Sequence, residues 1–183
     1  MENLQFADGT IATSAAFAPT DIAIDSNAVD EESAAGTVVG NLSTTDPTIG
    51  DTFTYAITSD PSGFFDISGS QLVVAAGQTM PDVETVGLQS YNVDVQVTDS
   101  TGNTYTETIT INLNDLQETH NLANGGVTFT DQGDAGDIIN GGTGNDTITG
   151  DTGDNTIDGA AGDDTIAGGL GNDTLDGGAG FDT

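Results

Sequence analysis

The chain has 183 residues, 30 of them Asp or Glu and none Lys or Arg, for a formal charge of −30 at pH 7. Without cationic side chains it has nothing to neutralise nucleic-acid phosphates or anionic lipid headgroups, and no Lys or Arg salt bridge can form. Counter-charge has to come from solution, which makes a metal cation the first partner to consider.

Other classes fall away as quickly. Zero cysteine removes disulfides, thiolate chemistry and thiolate metal sites, and is neutral about compartment. No apolar run approaches the ~18 residues that span a bilayer, so membrane insertion is not expected. The first twenty residues lack the basic n-region and continuous apolar core of a secretory signal.

In chain order, residues 20–118 read as β-structure. Short apolar stretches occur at Ile22–Ile24, Val38–Leu42 and Leu72–Val74. Thr52–Ile57 alternates Phe53, Tyr55 and Ile57 with polar neighbours, and Tyr91–Val97 places Tyr91, Val93, Val95 and Val97 on one face. Ile109, Ile111 and Leu113 repeat the pattern. Turn signals at Asp46-Pro47, Asp60-Pro61-Ser62-Gly63 and Ser100-Thr101-Gly102-Asn103 separate these runs. About seven short strands in roughly 100 residues predict an antiparallel sandwich of immunoglobulin-like type. No segment has a helical pattern.

Beyond this region the composition changes. Residues 1–120 hold nine glycines and all six glutamates, whereas residues 121–183 hold seventeen glycines and are acidic through Asp alone. The second part has a period of nine. Its register is Gly141–Thr149, Gly150–Asp158, Gly159–Ala167 and Gly168–Asp176, with a shortened copy at Gly177–Thr183 and a degenerate one at Gln132–Asn140. Position eight is always aliphatic: Ile139, Ile148, Ile157, Ile166, Leu175. Position six carries Asp137, Asp146, Asn155, Asp164, Asp173 and Asp182. Asp and Gly are ordinary turn formers, but six registered copies are not explained by solvated turns. One buried aliphatic per nine ordered residues cannot offset the entropy of ordering them, so a bound metal has to contribute to folding.

These nonapeptides resemble the RTX (hemolysin-type) calcium-binding repeats, in which the chain winds into a parallel β-roll. Glycine-rich loops bring carbonyls together, and the position-six Asp completes an all-oxygen site suited to Ca²⁺. In that family successive loops alternate between two edges, which implies two ladders here. One carries Asp146, Asp164 and Asp182; the other carries Asp137, Asn155 and Asp173. The all-carboxylate edge is expected to bind more tightly.

Residues 20–118 also resemble bacterial cadherin-like repeats. The likeness is carried by Ala28-Val29-Asp30-Glu31, Gly36–Gly40, Thr45-Asp46-Pro47, Pro81-Asp82-Val83-Glu84-Thr85, Val97-Thr98-Asp99 and Asn114-Asp115. It implies that Glu31, Asp82, Glu84 and Asp115 converge at one pole and hold calcium, where four carboxylates would otherwise repel. Thr48 stands where the family has a second Asp after Asp46, which weakens a site at the opposite pole. Gln117 stands where the linker often has Asn. Glu2–Thr10 resembles the stretch that often ends RTX-type regions, and the last nonapeptide is incomplete, so the chain reads as part of a longer protein.

The expected organisation is therefore all-β. Residues 1–19 are the end of a preceding module, 20–118 a cadherin-like sandwich, 119–131 a linker, and 132–183 a truncated RTX β-roll. No nucleophile, base and anion-stabilising group assemble in the sequence, so an enzyme is not expected. His120, the sole histidine, is expected to be a solvated linker residue. The resemblances imply a calcium-binding segment of a bacterial surface or secreted protein, exported by type I secretion and folding on Ca²⁺ outside. Its partner would be a cell-surface protein, a glycan or a second copy. The alternatives are the calcium-folding tail of a secreted hydrolase and a soluble calcium buffer.

Overall fold

The structure is a computed structural model. It describes residues 17–87, 90–133 and 135–183, with no side-chain description at Glu84 and Thr85. The Glu2–Thr10 stretch lies outside the described residues.

Eight strands make two antiparallel sheets. In chain order they are β1 (Asp21–Ile24), β2 (Ala28–Asp30), β3 (Val38–Thr45), β4 (Thr54–Ser59), β5 (Phe65–Ser68), β6 (Gln71–Val74), β7 (Ser90–Thr98) and β8 (Thr104–Asn114). One sheet has the order β1-β3-β6-β5 and the other β2-β8-β7-β4. The alternation along β7 is the clearest cause of this pairing: Val93, Val95 and Val97 are fully buried. The opposite face of β7 meets β8 through polar pairs. Thr110 Oγ1 and Asn92 Oδ1 are 2.8 Å apart, Thr108 Oγ1 donates to Asp94 Oδ1 at 2.6 Å, and Gln96 Nε2 donates to Thr106 Oγ1 at 3.2 Å. In a chain without Lys or Arg, threonine hydroxyls perform the cross-strand pairing that opposite charges often provide.

The sandwich strands expected from alternation are all present. The additions are β2, β5 and a single helical turn, α1 (Val83–Val86). Elements of three or four residues are too short for a period to declare itself.

Contacts group the chain into two compact units. One takes in the chain up to Ala28, Ala34–Gln78 and Tyr91–Ile111; the other takes in Val29–Ser33, Thr79–Ser90 and Asn112–Thr183. The second unit holds the parallel roll, and also the segments bearing Glu31, Asp82 and Asp115.

The roll has seven three-residue strands: β9 (Thr119–Asn121), β10 (Thr128–Thr130), β11 (Ile138–Asn140), β12 (Thr147–Thr149), β13 (Thr156–Asp158), β14 (Thr165–Ala167) and β15 (Thr174–Asp176). They form two parallel sheets, β10-β12-β14 and β15-β13-β11-β9. Odd and even strands thus lie in different sheets, and each pairs with the strand one full turn away. The position-eight side chains of β11 to β14 point inward, whereas Leu175 on the last strand is exposed. Ile139, Ile148 and Ile157 form the buried cluster, and Leu122, Phe129 and Ile166 pack against it.

Residues 119–131, expected as a linker, carry β9 and β10 and so belong to the parallel sheets. His120 accordingly is not a solvated linker residue. It occupies the inward position of β9, opposite Ile139, with its side chain only 17% exposed and its ring 5.0 Å from that of Phe129. At fully buried Ile148, truncation to Ala should cost about 2–5 kcal/mol in calcium. A denaturant midpoint equal to wild type would show that the roll's core does not limit stability.

Candidate metal centre

The position-six side chains form the expected two ladders, held by a hydrogen bond absent from any turn-level reading of the sequence. Each Oδ1 accepts the backbone N–H of the position-six residue one full turn earlier in the roll. On one edge Asp146 Oδ1 accepts from Val127 at 2.7 Å, Asp164 from Asp146 at 2.7 Å, and Asp182 from Asp164 at 3.0 Å. On the other, Asp137 accepts from Glu118 at 2.7 Å, Asn155 from Asp137 at 2.8 Å, and Asp173 from Asn155 at 3.0 Å. Asp137, Asp146, Asn155 and Asp164 are buried, Asp173 is half-buried, and Asp182 is exposed.

A second ladder runs the opposite way from position five. Asn145 Oδ1 accepts Asp163 N–H, Asp163 Oδ1 accepts Phe181 N–H, and Asp154 Oδ1 accepts Asn172 N–H, at 3.0, 3.0 and 2.7 Å. Sequence reasoning missed it because Asn and Asp in a glycine-rich loop look like generic turn formers.

Among the described residues, buried Asp146 Oδ2 and Asp164 Oδ2 have no hydrogen-bond partner. Each shares its small space with a carbonyl. A Cβ on Gly141 would stand 2.9 Å from Asp146 Oδ2 and 2.7 Å from Gly159 O; one on Gly159 would stand 2.6 Å from Asp164 Oδ2 and 2.9 Å from Gly177 O. Position one of these two loops therefore has to be glycine. A buried carboxylate oxygen beside a carbonyl, with no donor of its own, is unfavourable unless a cation joins them.

Asn155 gives the internal control. Its Nδ2 donates to Gly153 O at 3.3 Å, Gly168 O at 3.2 Å and Asp151 Oδ1 at 3.1 Å. The amide supplies donors to a group of three oxygens that a carboxylate there could not satisfy. An all-oxygen cluster of this kind suits a hard cation such as Ca²⁺.

The other expected pole also assembles in part. Glu31 is 2% exposed, and its Oε2 and Oε1 accept the N–H groups of Val83 at 2.7 Å and Leu116 at 2.6 Å. It is thus a buried acid that fixes two chain segments, unlike a solvated strand-end residue. Burial raises its pKa, and the charges of Asp115 and Asp82 add to the rise against its two backbone hydrogen bonds. Asp115 Oδ2 accepts Ala135 N–H at 2.7 Å from the first repeat loop. Glu84 lies on α1, and its side chain is outside those described. Sequence reading passed over Glu118, whose pKa is raised by burial and then by Glu31 and Asp82.

In the first unit Asp46, Asp51 and Asp99 bring one oxygen each within 4.8 Å of one another. Asp51, rather than residue 48, joins Asp46 there. Asp99 is buried; burial alone would raise its pKa, but hydrogen bonds from Asn103 and Thr101 outweigh it and lower the value to about 2.

Asp131 directly follows β10, where β11 to β15 are each followed by glycine. Its pKa is raised from 3.8 to about 7 by burial and then by the charges of Asp137 and Asp151. An acid raised in the folded state holds its proton where the unfolded chain has lost it, so metal-free stability falls as pH climbs through that interval. Glu31 and Glu118 act in the same direction. In chelator the melting temperature should therefore fall between about pH 4 and 7, and saturating calcium should flatten or reverse the trend. A melting temperature that rises over this interval in chelator contradicts it.

The family model for the RTX calcium-binding nonapeptide repeat matches residues 131–166 and 150–183. No curated protein matches the chain. Among solved structures, Drosophila N-cadherin EC1-3 is similar at 14% identity, covering 64% of this chain and 42% of that one, with a TM-score of 0.42. The human desmocollin-1 ectodomain is similar at 18% identity, covering 66% and 28%, with a TM-score of 0.41. The chain thus spans less than half the length of either structure. Its residues 131–183 thus match the RTX calcium-binding nonapeptide repeat and wind as a parallel β-roll.

Proposed function

We propose that this chain is a non-catalytic calcium-binding segment of an exported bacterial surface protein, in which the repeats fold on Ca²⁺ after export and the sandwich serves adhesion or extension. The observation that carries the reading is the pairing of partnerless Asp146 Oδ2 and Asp164 Oδ2 with the carbonyls of Gly159 and Gly177. Asp146, Asp164 and Asp182 would hold calcium on one edge, and Asp173 with Asn155 on the other. Glu31, Asp82, Glu84 and Asp115 would hold a further ion at the sandwich pole. Calcium supplies positive charge to loops that have no other source of it. The protein's own groups preorganise those loops through the two opposed hydrogen-bond ladders.

Folding after export requires an affinity matched to the outside. Calorimetric titration of the full chain should give a midpoint near ~10⁻⁴–10⁻³ M for calcium and no comparable response to magnesium. A submicromolar midpoint would leave the roll folded before export and defeat the proposal. For the adhesive role, the immobilised chain should capture a surface glycan, a surface protein or a second copy in calcium and release it in chelator. Identical capture in both conditions would separate adhesion from the calcium fold.

A further inference from the structure

The first turn of the roll departs from the later ones in two places, beside an ordinary position-six carboxylate. Its inward residue on β9 is His120 instead of an aliphatic side chain. The residue directly after β10 is Asp131 instead of glycine, and the residue directly before β11 is Asp137. One ligand atom from each lies within 4.8 Å of the other two. His120 Nε2 is 3.3 Å from Asp137 Oδ2, while Asp137 Oδ1 is occupied by the Glu118 N–H. Asp131 is 4% exposed, and its Oδ2 has no hydrogen-bond partner among the described residues. The Phe129 ring packs on the imidazole and limits its orientation.

We infer that His120, Asp131 and Asp137 form a mixed nitrogen–oxygen site for a borderline divalent cation such as Zn²⁺, chemically distinct from the all-oxygen loops of the later turns. Imidazole is a ligand of choice for Zn²⁺, whereas Ca²⁺ takes oxygen donors almost exclusively. Tetrahedral Zn²⁺ with bonds of about 2.0–2.2 Å separates neighbouring donors by about 3.4 Å, close to the spacing of His120 Nε2 and Asp137 Oδ2. Two carboxylates and one imidazole neutralise the ion and leave its fourth position to water. Because the ligands come from β9, the start of the loop after β10, and the residue before β11, the ion would tie the first turn to the second. This site rests on the roll being folded, and hence on the calcium reading above.

The experiment uses the full chain in saturating calcium, with folding verified by circular dichroism before zinc is added. Zinc should then bind with one additional equivalent, shift the resonances of the single histidine, and raise the melting temperature. Co²⁺ in its place should give the visible absorption of a four-coordinate site. His120→Asn and Asp131→Gly should each weaken zinc binding by about tenfold or more. Asp131→Gly installs the residue that later turns carry, so its calcium-dependent fold should persist. Zinc that leaves the His120 resonances unmoved, as expected if Asp131 and Asp137 merely share a proton, overturns the inference. So does zinc affinity equal to wild type in a folded Asp131→Gly variant. Failure to fold in calcium would instead count against the calcium reading.

Discussion

Chelation of calcium should sharply destabilise the roll. In excess EDTA the amides of β11–β14 should lose much of their hydrogen-exchange protection and the far-ultraviolet β signal should fall; calcium should restore both, and magnesium should not. The cause is local and electrostatic. Asp146 and Asp164 are 2% and 1% exposed, and each keeps one carboxylate oxygen without a donor. Both oxygens face carbonyls, so the metal-free loop confronts charge with lone pairs in a desolvated place. With no Lys or Arg in the chain, no side-chain rearrangement can supply the missing cation. The buried cluster is one aliphatic residue per turn and is too small to hold that repulsion together. Proteolysis provides a second readout, but trypsin is blind to a chain without Lys and Arg, so thermolysin or proteinase K is needed. Undiminished protection of Ile139, Ile148 and Ile157 in EDTA would remove calcium from the folding argument.

Legibility in the sequence followed pattern length. β7 and β8 run for nine and eleven residues, long enough for strict alternation to announce both strand and buried face. The repeats were legible for the same reason, since β11 to β15 lie in an 18-residue register with their partners one turn away. The first turn was not. Thr119 pairs with Ile138 and Thr128 with Thr147, each a separation of 19, so the period slips by one residue where the roll begins. His120 and Phe129 replace the aliphatic marker there, and what looked like a linker is the first coil of the solenoid. The site was half legible. Position six was visible as a recurring carboxylate, but its division into one oxygen for a backbone N–H and one for a cation needs three-dimensional register. The position-five ladder, Glu118 and Asp131 belong to that same class, because their partners are brought to them by the winding of the roll or come from distant segments.

Asp164→Asn and Asn155→Asp should move calcium binding in opposite directions. Asp164 stands in the middle of its ladder, accepting from Asp146 N–H and donating its own N–H to Asp182. Changing it to Asn can preserve the first of these through Oδ1, yet turns Oδ2 from a charged ligand into a donor aimed at Gly177 O. The ladder then closes without metal, and the calcium midpoint should rise on the order of tenfold as ligand charge is lost. Asn155→Asp performs the reverse exchange. It removes donors to Gly153 O, Gly168 O and Asp151 Oδ1 and sets a carboxylate among three acceptors. In EDTA that variant should be less stable than wild type, whereas in millimolar calcium it should be more stable, because the second edge then offers an unbroken carboxylate ladder. The crossing of its two melting curves relative to wild type is the diagnostic, since a substitution that only disturbed packing would lower stability in both conditions. An Asp164→Asn midpoint within the scatter of wild type, or an Asn155→Asp variant destabilised with and without calcium, would refute the assignment of position six as the ligand slot.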